Sequence, residues 1–425
     1  MEPFYLLDYI KSNSYLSQSR YDSLRYELDK HLHYYGDHFK YPHENNSNNN
    51  GNLLRIFSSY LFSFYKTLLN GSPLEKSNLV LSNAYFSVNE ELIKLGYEVF
   101  CPSWQMEKDR KVLNNLDIFL RTEKIKNKLR NSNFNELLQK DFLVEIDQFE
   151  EKLSLLFQKR KIKSLFVPND VSFFENISIH LCKQIGIPSF IFLHGLPGRY
   201  NNIDENRSDY LIVWGKRIKE NYIKAGLSPD KIFISGHPYY KQIHLDPLKF
   251  SFENILVLTK SLNGAQHSDG VILGDRSNLL LYLFSIERIL KRFGVNSVRF
   301  RPHPSENENW YLKFINKDFY VFDKGNLQQS ILNSTLIIGP TSTVFLESLY
   351  CGVNYVVYEP ALNNIDLINC PLVPPFDGND SKVPVSKDEA EFEYILKSKS
   401  GVNPSCISDY ITTPFDLSFV KDLIK

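Results

Sequence analysis

The sequence predicts an α/β chain with two Rossmann-like domains facing a cleft, preceded by an extra helical region. Three observations lead there. From Asn78 onward, short apolar runs alternate with helical stretches. The alternation breaks and restarts at Asn254, which divides it into two units at about 76–250 and 251–400. The histidine, glycine and hydroxyl motifs each stand directly after an apolar run, where open α/β sheets bind ligands.

Residues 1–75 read as helical and irregular, with Asn45 to Asn52 as a polar, exposed insert. Leu53, Phe57, Leu61, Tyr65 and Leu68 recur at helical spacing, within a stretch from Leu53 to Leu69. That pattern fits an amphipathic helix docked on the protein or lying on a membrane surface. His31, His33, His38 and His43 form a loose cluster without the acidic or thiol partners of a metal site. The first unit opens with a strand at Leu79 to Leu81, a helix ended by Gly96 and a strand at Glu98 to Cys101. Charged helical sequence fills 106–160. The strands Ser164 to Val167, Ser189 to Leu193, Tyr210 to Gly215 and Lys231 to Ile234 follow, with helices at Phe174 to Gln184 and Lys216 to Ala225 between them.

The second unit starts with the strand Ile255 to Thr259, a loop from Lys260 to Gly274 and an amphipathic helix from Ser277 to Phe293. Val298 to Phe300 leads into Arg301-Pro302-His303-Pro304. Leu336 to Ile338 leads into Gly339-Pro340-Thr341-Ser342-Thr343 and a helix, and Tyr355 to Tyr358 is the next strand. Lys387 to Lys397 reads as a further helix. The tail, 401–425, carries another at Leu417 to Ile424 and folds back on the first domain.

The bulk composition is that of a globular chain of 425 residues, 43% hydrophobic and 23% charged. Its net charge of +0 argues against a nucleic-acid binder, which concentrates Lys and Arg. Cys101, Cys182, Cys351, Cys370 and Cys406 are scattered and form no Cys-x-x-Cys pair. Neither a zinc site nor a disulfide framework is indicated, and a reduced, cytosolic compartment is expected. The N-terminus lacks a basic segment ahead of an apolar run. No charge-free stretch approaches the roughly 20 residues of a spanning helix.

Four groups of residues could carry chemistry. His303 stands at a strand end, where it could donate a hydrogen bond to a phosphate or a proton to a leaving group. Arg301 could pair with the same phosphate through two hydrogen bonds. Thr341, Ser342 and Thr343 place hydroxyls at a helix start, a position that suits both phosphate and ordinary capping. Glu347, one turn later, could accept from a ribose diol. In the first unit, His194, in His194-Gly195-Leu196-Pro197-Gly198, could deprotonate an acceptor hydroxyl. Asp170, after Pro168-Asn169, is the rival base. Lys260, at the strand end that opens the second unit, could reach a phosphate. Gly236-His237-Pro238 reads as the turn that leaves the first domain. There is no Gly-x-Gly-x-x-Gly and no Gly-Lys-Ser/Thr loop, which weakens dehydrogenase and nucleotide-hydrolase readings.

Taken together, the two-domain pattern, the His194-Gly195 loop, Arg301-Pro302-His303-Pro304 and the Gly339-to-Glu347 motif resemble bacterial GT-B glycosyltransferases of capsule and lipopolysaccharide synthesis. The likeness covers about residues 160–360. It points within that group to sialyltransferase-like and Kdo-transferase-like enzymes, which use CMP-activated acidic sugars. The resemblance implies that His303 contacts the donor phosphate and assists departure of CMP, and that Ser342 and Thr343 hold that phosphate. Such enzymes also use an acidic base, often in an Asp/Glu-Asp/Glu-Gly tripeptide. This chain lacks the tripeptide, and Asn169-Asp170 stands nearest to it. The His194-Gly195 element instead looks like the His-Gly of CDP-glycerol and related polyol-phosphate transferases, so the base stays open between His194 and Asp170. A weaker likeness to non-hydrolysing UDP-sugar epimerases rests on the two-domain layout.

The function expected on this basis is transfer of a sialic-acid-like or Kdo-type sugar from a CMP donor to a surface glycan. CDP-polyol phosphotransfer, UDP-sugar transfer and a non-catalytic carbohydrate-binding assembly subunit are the alternatives. The partners implied are a nucleotide-sugar donor and a glycan or lipid-linked glycan acceptor, with no nucleic acid and no cofactor beyond the donor. No Asp-x-Asp motif calls for a metal. A cytoplasmic enzyme is implied, and neutral net charge is compatible with docking at the inner face of the membrane.

Overall fold

The computed structural model describes residues 16–33, five positions between 57 and 65, and 78–424 except 85, 106–109, 114, 199, 201–207, 244, 261–275, 305 and 362–371. The Asn-rich insert, most of the Leu53-to-Leu69 stretch, His38, His43, Cys370 and the loop after Lys260 lie outside the described residues.

Helix α1 (Gln18–His33) precedes the first sheet. That sheet is built from β1 (Leu79–Ser82), β2 (Glu98–Phe100), β3 (Ser164–Val167), β4 (Ser189–Phe192), β5 (Tyr210–Val213) and β6 (Ile232–Ile234). Its order is β2-β1-β3-β4-β5-β6, and every pairing is parallel. Helix α2 (Phe86–Lys94) connects β1 to β2. The charged stretch before β3 forms two helices, α3 (Leu116–Asn131) and α4 (Lys140–Lys159), which pack on each other. Helices α5 (Phe173–Gln184) and α6 (Lys216–Lys224) complete the unit.

The second sheet is β7 (Ile255–Leu258), β8 (Val298–Arg301), β9 (Tyr320–Phe322), β10 (Leu336–Gly339), β11 (Tyr355–Tyr358) and β12 (Val385–Ser386). Its order is β12-β11-β10-β7-β8-β9, again all parallel. Its helices are α7 (Arg276–Arg292), α8 (Glu308–Tyr311), α9 (Leu327–Leu332), α10 (Val344–Tyr350) and α11 (Glu389–Ser398). Two short helices, α12 (Cys406–Tyr410) and α13 (Val420–Leu423), end the chain. The outcome is the α/β, GT-B-like class that the sequence predicts, two Rossmann-like sheets with flanking helices.

The inner strands read as unbroken apolar runs because parallel sheets are covered on both faces. Side-chain alternation then divides each strand between two cores. Ile255 and Val257 of β7, Leu336 and Ile338 of β10, and Val356 and Tyr358 of β11 join a cluster with α7, α8 and α11. Their neighbours Leu256, Leu258, Ile337, Tyr355 and Val357 join a second cluster, which continues through α10 into the first domain and the tail. The two domains therefore share one apolar core. The tail reinforces this: Thr412 N donates to Trp214 O at 2.8 Å, and Asp416 N to Ser235 O at 2.8 Å. Among the described residues no helix is long and apolar enough to cross a membrane, and no disulfide joins the described cysteines.

Candidate functional site

Strand order locates the crevice. In the second sheet the chain runs outward through β7, β8 and β9, then returns to lay β10 beside β7. This reversal is a topological switch point, where the loops after two adjacent strands diverge and leave a crevice. The residues at its rim are Thr259 and Lys260 after β7, and Pro340 and Thr341 after β10. Lys260 is buried and engages Glu359 Oε1 at 2.8 Å and Thr341 Oγ1 at 3.2 Å. The other Glu359 oxygen accepts from Thr341 N at 2.8 Å. A buried ammonium is thus neutralised from below and tied to the hydroxyl turn, so its position is set before any ligand arrives.

His303 follows β8 on the neighbouring strand. Its backbone N–H donates to Thr259 Oγ1 at 3.0 Å and to Glu306 Oε2 at 3.1 Å. Thr259 Oγ1 in turn donates to Glu306 Oε2 at 2.6 Å, and Tyr311 OH donates to Glu306 Oε1 at 2.9 Å. The His303 turn is therefore pinned by its main chain, which leaves the imidazole open to solvent on one side. The protein around its other side lowers its pKa from the ordinary histidine value. A neutral ring at pH 7 offers a phosphate a hydrogen bond rather than a full positive charge. Glu306 is buried, and burial raises its pKa to about 7.

In the first domain the switch point lies between β1 and β3. His194, just after β4, is exposed, and its Nδ1 lies 3.1 Å from Pro168 O at the end of β3. A carbonyl only accepts, so this contact calls for a proton on Nδ1. Trp214 Nε1 donates to Leu193 O at 2.9 Å and fixes the strand end that carries the histidine. Asp170 is 2% exposed, in the turn that Asn169 caps by accepting from Val171 N at 3.2 Å and Ser172 N at 2.9 Å. The two candidate bases therefore differ in access.

The two halves touch. Leu196 N, in the His194-Gly195 loop, donates to Thr343 Oγ1 of the hydroxyl turn at 2.9 Å. A Cβ on Gly195 would sit 2.9 Å from the same oxygen, so the approach requires glycine. Thr341, Ser342 and Thr343 are all half-buried at this junction. Ser342 Oγ accepts from Val344 N at 3.3 Å, an ordinary first-turn contact. Helix α10, which starts after these hydroxyls, has seven residues. Glu347 is half-buried, and burial raises its carboxyl pKa. Its charge is felt by Tyr239 and Tyr240, in the turn that leaves the first domain. That turn sets His237 edge-to-face against Trp214, ring centroids 4.6 Å apart, and burial lowers the His237 pKa to about 4.

Arg301 faces another way. Its Nη1 donates to Gly325 O at 2.6 Å and lies 3.7 Å from Asp323 Oδ1, so the guanidinium is committed to the loop after β9. The structure thus ties Lys260 to Thr341, the His303 turn to Thr259 beside Lys260, and Thr343 to the loop of His194, turns Glu347 toward Tyr239 and Tyr240, and gives Arg301 a different set of neighbours. Among the described residues no group of three or more His, Cys, Asp or Glu is arranged to hold a metal ion.

No protein-family model matches the chain, and no curated protein matches its sequence. Solved structures with a similar layout include UDP-GlcNAc 2-epimerase from Methanocaldococcus jannaschii, at 12% identity and TM-score 0.47, covering 81% of this chain and 98% of that one. UDP-GlcNAc 2-epimerase from Neisseria meningitidis, bound to UDP-GlcNAc, overlaps at 12% identity and TM-score 0.43, covering 81% and 97%. Anabaena HepE in complex with UDP and glucose overlaps at 10% identity and TM-score 0.40, covering 81% and 97%. At these identities and scores the likeness extends to layout and no further.

Sequence reasoning missed two residues of this site. Glu359 directly follows the apolar run of β11, and an acid at a strand end is the signal that could have found it. Glu306 stands three residues after His303, where it reads as one more solvated carboxylate. Only the burial of each, 0% and 4% exposed, reveals its role.

Proposed function

We propose that the chain is a transferase that moves a sugar from a nucleotide donor to a glycan hydroxyl, with the donor on the second domain and the acceptor entering from the first. The observation that carries this reading is the hydrogen bond from Leu196 N to Thr343 Oγ1. It joins the loop that carries His194 to a rim of ammonium and hydroxyl groups suited to phosphate. In the step envisaged, the acceptor O–H attacks the donor's anomeric carbon. A new C–O bond forms, the bond from that carbon to the nucleotide phosphate oxygen breaks, and the nucleotide leaves with the electron pair. The acceptor proton passes to His194 Nε2. Lys260, Thr341, Ser342 and Thr343 stabilise the departing phosphate, and the His303 imidazole donates to it. Glu347 holds the ribose. Asp170, with almost no exposed surface, is the alternative base. Direct displacement of this kind inverts the anomeric centre.

The donor we favour is a CMP-activated acidic sugar, on the strength of the His-Pro and Thr-Ser-Thr motifs. UDP-sugars and CDP-polyols are the alternatives, and the panel below separates them. The enzyme is incubated separately with CMP-sialic acid, CMP-Kdo, CDP-glycerol, CDP-ribitol and UDP-N-acetylglucosamine, each with a glycan acceptor, and nucleotide release is followed. Turnover with a CMP-sugar, reduced at least about 100-fold in His303→Ala and in His194→Ala, is the expected outcome. Near-normal turnover by folded His303→Ala protein would sink its role. Thermal stability unmoved by CMP, CDP, UDP and GDP would sink the transferase reading as a whole.

A further inference from the structure

A cavity of about 740 Å³ shares no residue with the site described above. Its walls come from three places. The start of α6 supplies Lys216, Arg217 and Glu220. The connection leaving the first domain supplies Lys241, Gln242, Ile243 and Leu245. The returning tail supplies Ser408, Asp409, Ile411, Thr412 and Thr413. The tail crosses the start of α6 closely: a Cβ on Gly215 would lie 2.4 Å from the Tyr410 carbonyl, which leaves glycine as the residue that fits.

The lining has a definite chemistry. It holds three cations and two carboxylates. One carboxylate, Asp409, is already paired at 2.5 Å with Lys382 from outside the cavity. The other, Glu220, pairs with Arg217 at 3.4 Å, and Asp380 from outside the cavity also acts on Arg217. Positive charge is therefore in excess. Three hydroxyls and one amide can hydrogen-bond in both directions. Among the described residues no aromatic side chain lines the cavity. The volume lies within the roughly 300–1,000 Å³ of small-molecule sites. We infer that this cavity binds an anionic saccharide, whose carboxylate or phosphate meets Lys216, Arg217 and Lys241 while its hydroxyls meet Gln242, Ser408, Thr412 and Thr413. This inference does not depend on the donor assigned above, nor on transferase activity.

Isothermal titration calorimetry on the full chain tests it, with four probes: oligosialic acid, a phosphorylated oligosaccharide, a neutral dextran oligomer and inorganic phosphate. Lys216 and Lys241 are exposed, so the double variant Lys216→Glu/Lys241→Glu should keep the fold, and circular dichroism checks that it does. Binding of one or both anionic saccharides, weakened at least about tenfold in the double variant and falling with added salt, is the expected result. The carboxylated and phosphorylated arms report which anion is preferred. Three results would overturn the inference: no binding by either anionic saccharide, equal binding of inorganic phosphate, or affinities unchanged by the double substitution. A second variant, Thr412→Val, keeps every charge and should weaken saccharide binding while leaving the salt dependence in place.

Discussion

Glu306 shows how one buried carboxyl can govern a turn. It accepts from Thr259 Oγ1, Tyr311 OH and His303 N, and no cation is among these partners. All three contacts favour the ionised form, yet burial outweighs them and the pKa rises to about 7. The folded state therefore holds this proton more tightly than the unfolded chain does. The stability that results is complete below the unfolded value of 4.5, and it is lost as pH rises toward about 7. The shift corresponds to about 3 kcal/mol. In Glu306→Gln the pH-dependent part disappears. Its stability deficit against the parent should therefore shrink steadily from pH 5 to pH 8, as read by urea denaturation at each pH. A constant deficit would contradict this account. The sequence drew attention to His303 because a His-Pro pair at a strand end is locally recognisable. Nothing local marks Glu306, whose partners besides His303 lie just after β7 and on α8.

Among the elements, what was legible follows from burial. The inner strands β1, β3, β4, β7, β10 and β11 are buried at every position and stood out as apolar runs. The sheet edge β9 alternates with an exposed Val321, and β12 has two residues, so neither carries a detectable pattern. The site motifs were readable as strand ends for the same reason. The contact between the two loops was not, because it depends on how the domains meet. That contact yields its own prediction. Gly195→Ala places a methyl against the stiff Thr343 side chain and breaks the hydrogen bond from Leu196. The loops should part by a fraction of an ångström, and kcat/KM should fall by about 10- to 100-fold with little change in melting temperature. Thr343→Ser keeps the hydroxyl and should retain most activity. If steady-state kinetics ranked the two variants the other way, the junction would not be the reacting centre.

At the scale of the whole molecule, the returning tail decides how the two sheets behave. Leu417 and Val420 are fully buried in a core that also contains Leu256, Leu346 and Val357 of the second domain. With the hydrogen bonds from Thr412 to Trp214 and from Asp416 to Ser235, this couples the domains energetically. Two Rossmann-like units joined only by a linker would unfold separately, since ordinary interdomain surfaces are modest and polar. A shared apolar core instead predicts one cooperative transition. Leu417→Ala should cost about 2–5 kcal/mol, the usual range for a buried leucine. That loss should appear in both domains together. Hydrogen exchange read by mass spectrometry is the measurement, because it follows peptides of each sheet in the same sample. Peptides covering β3 and β10 should lose protection at the same, lower denaturant concentration in the variant. If β10 kept its protection while β3 opened, the tail would stabilise the first domain alone, and the contact between Leu196 and Thr343 would have to form anew each time the domains meet.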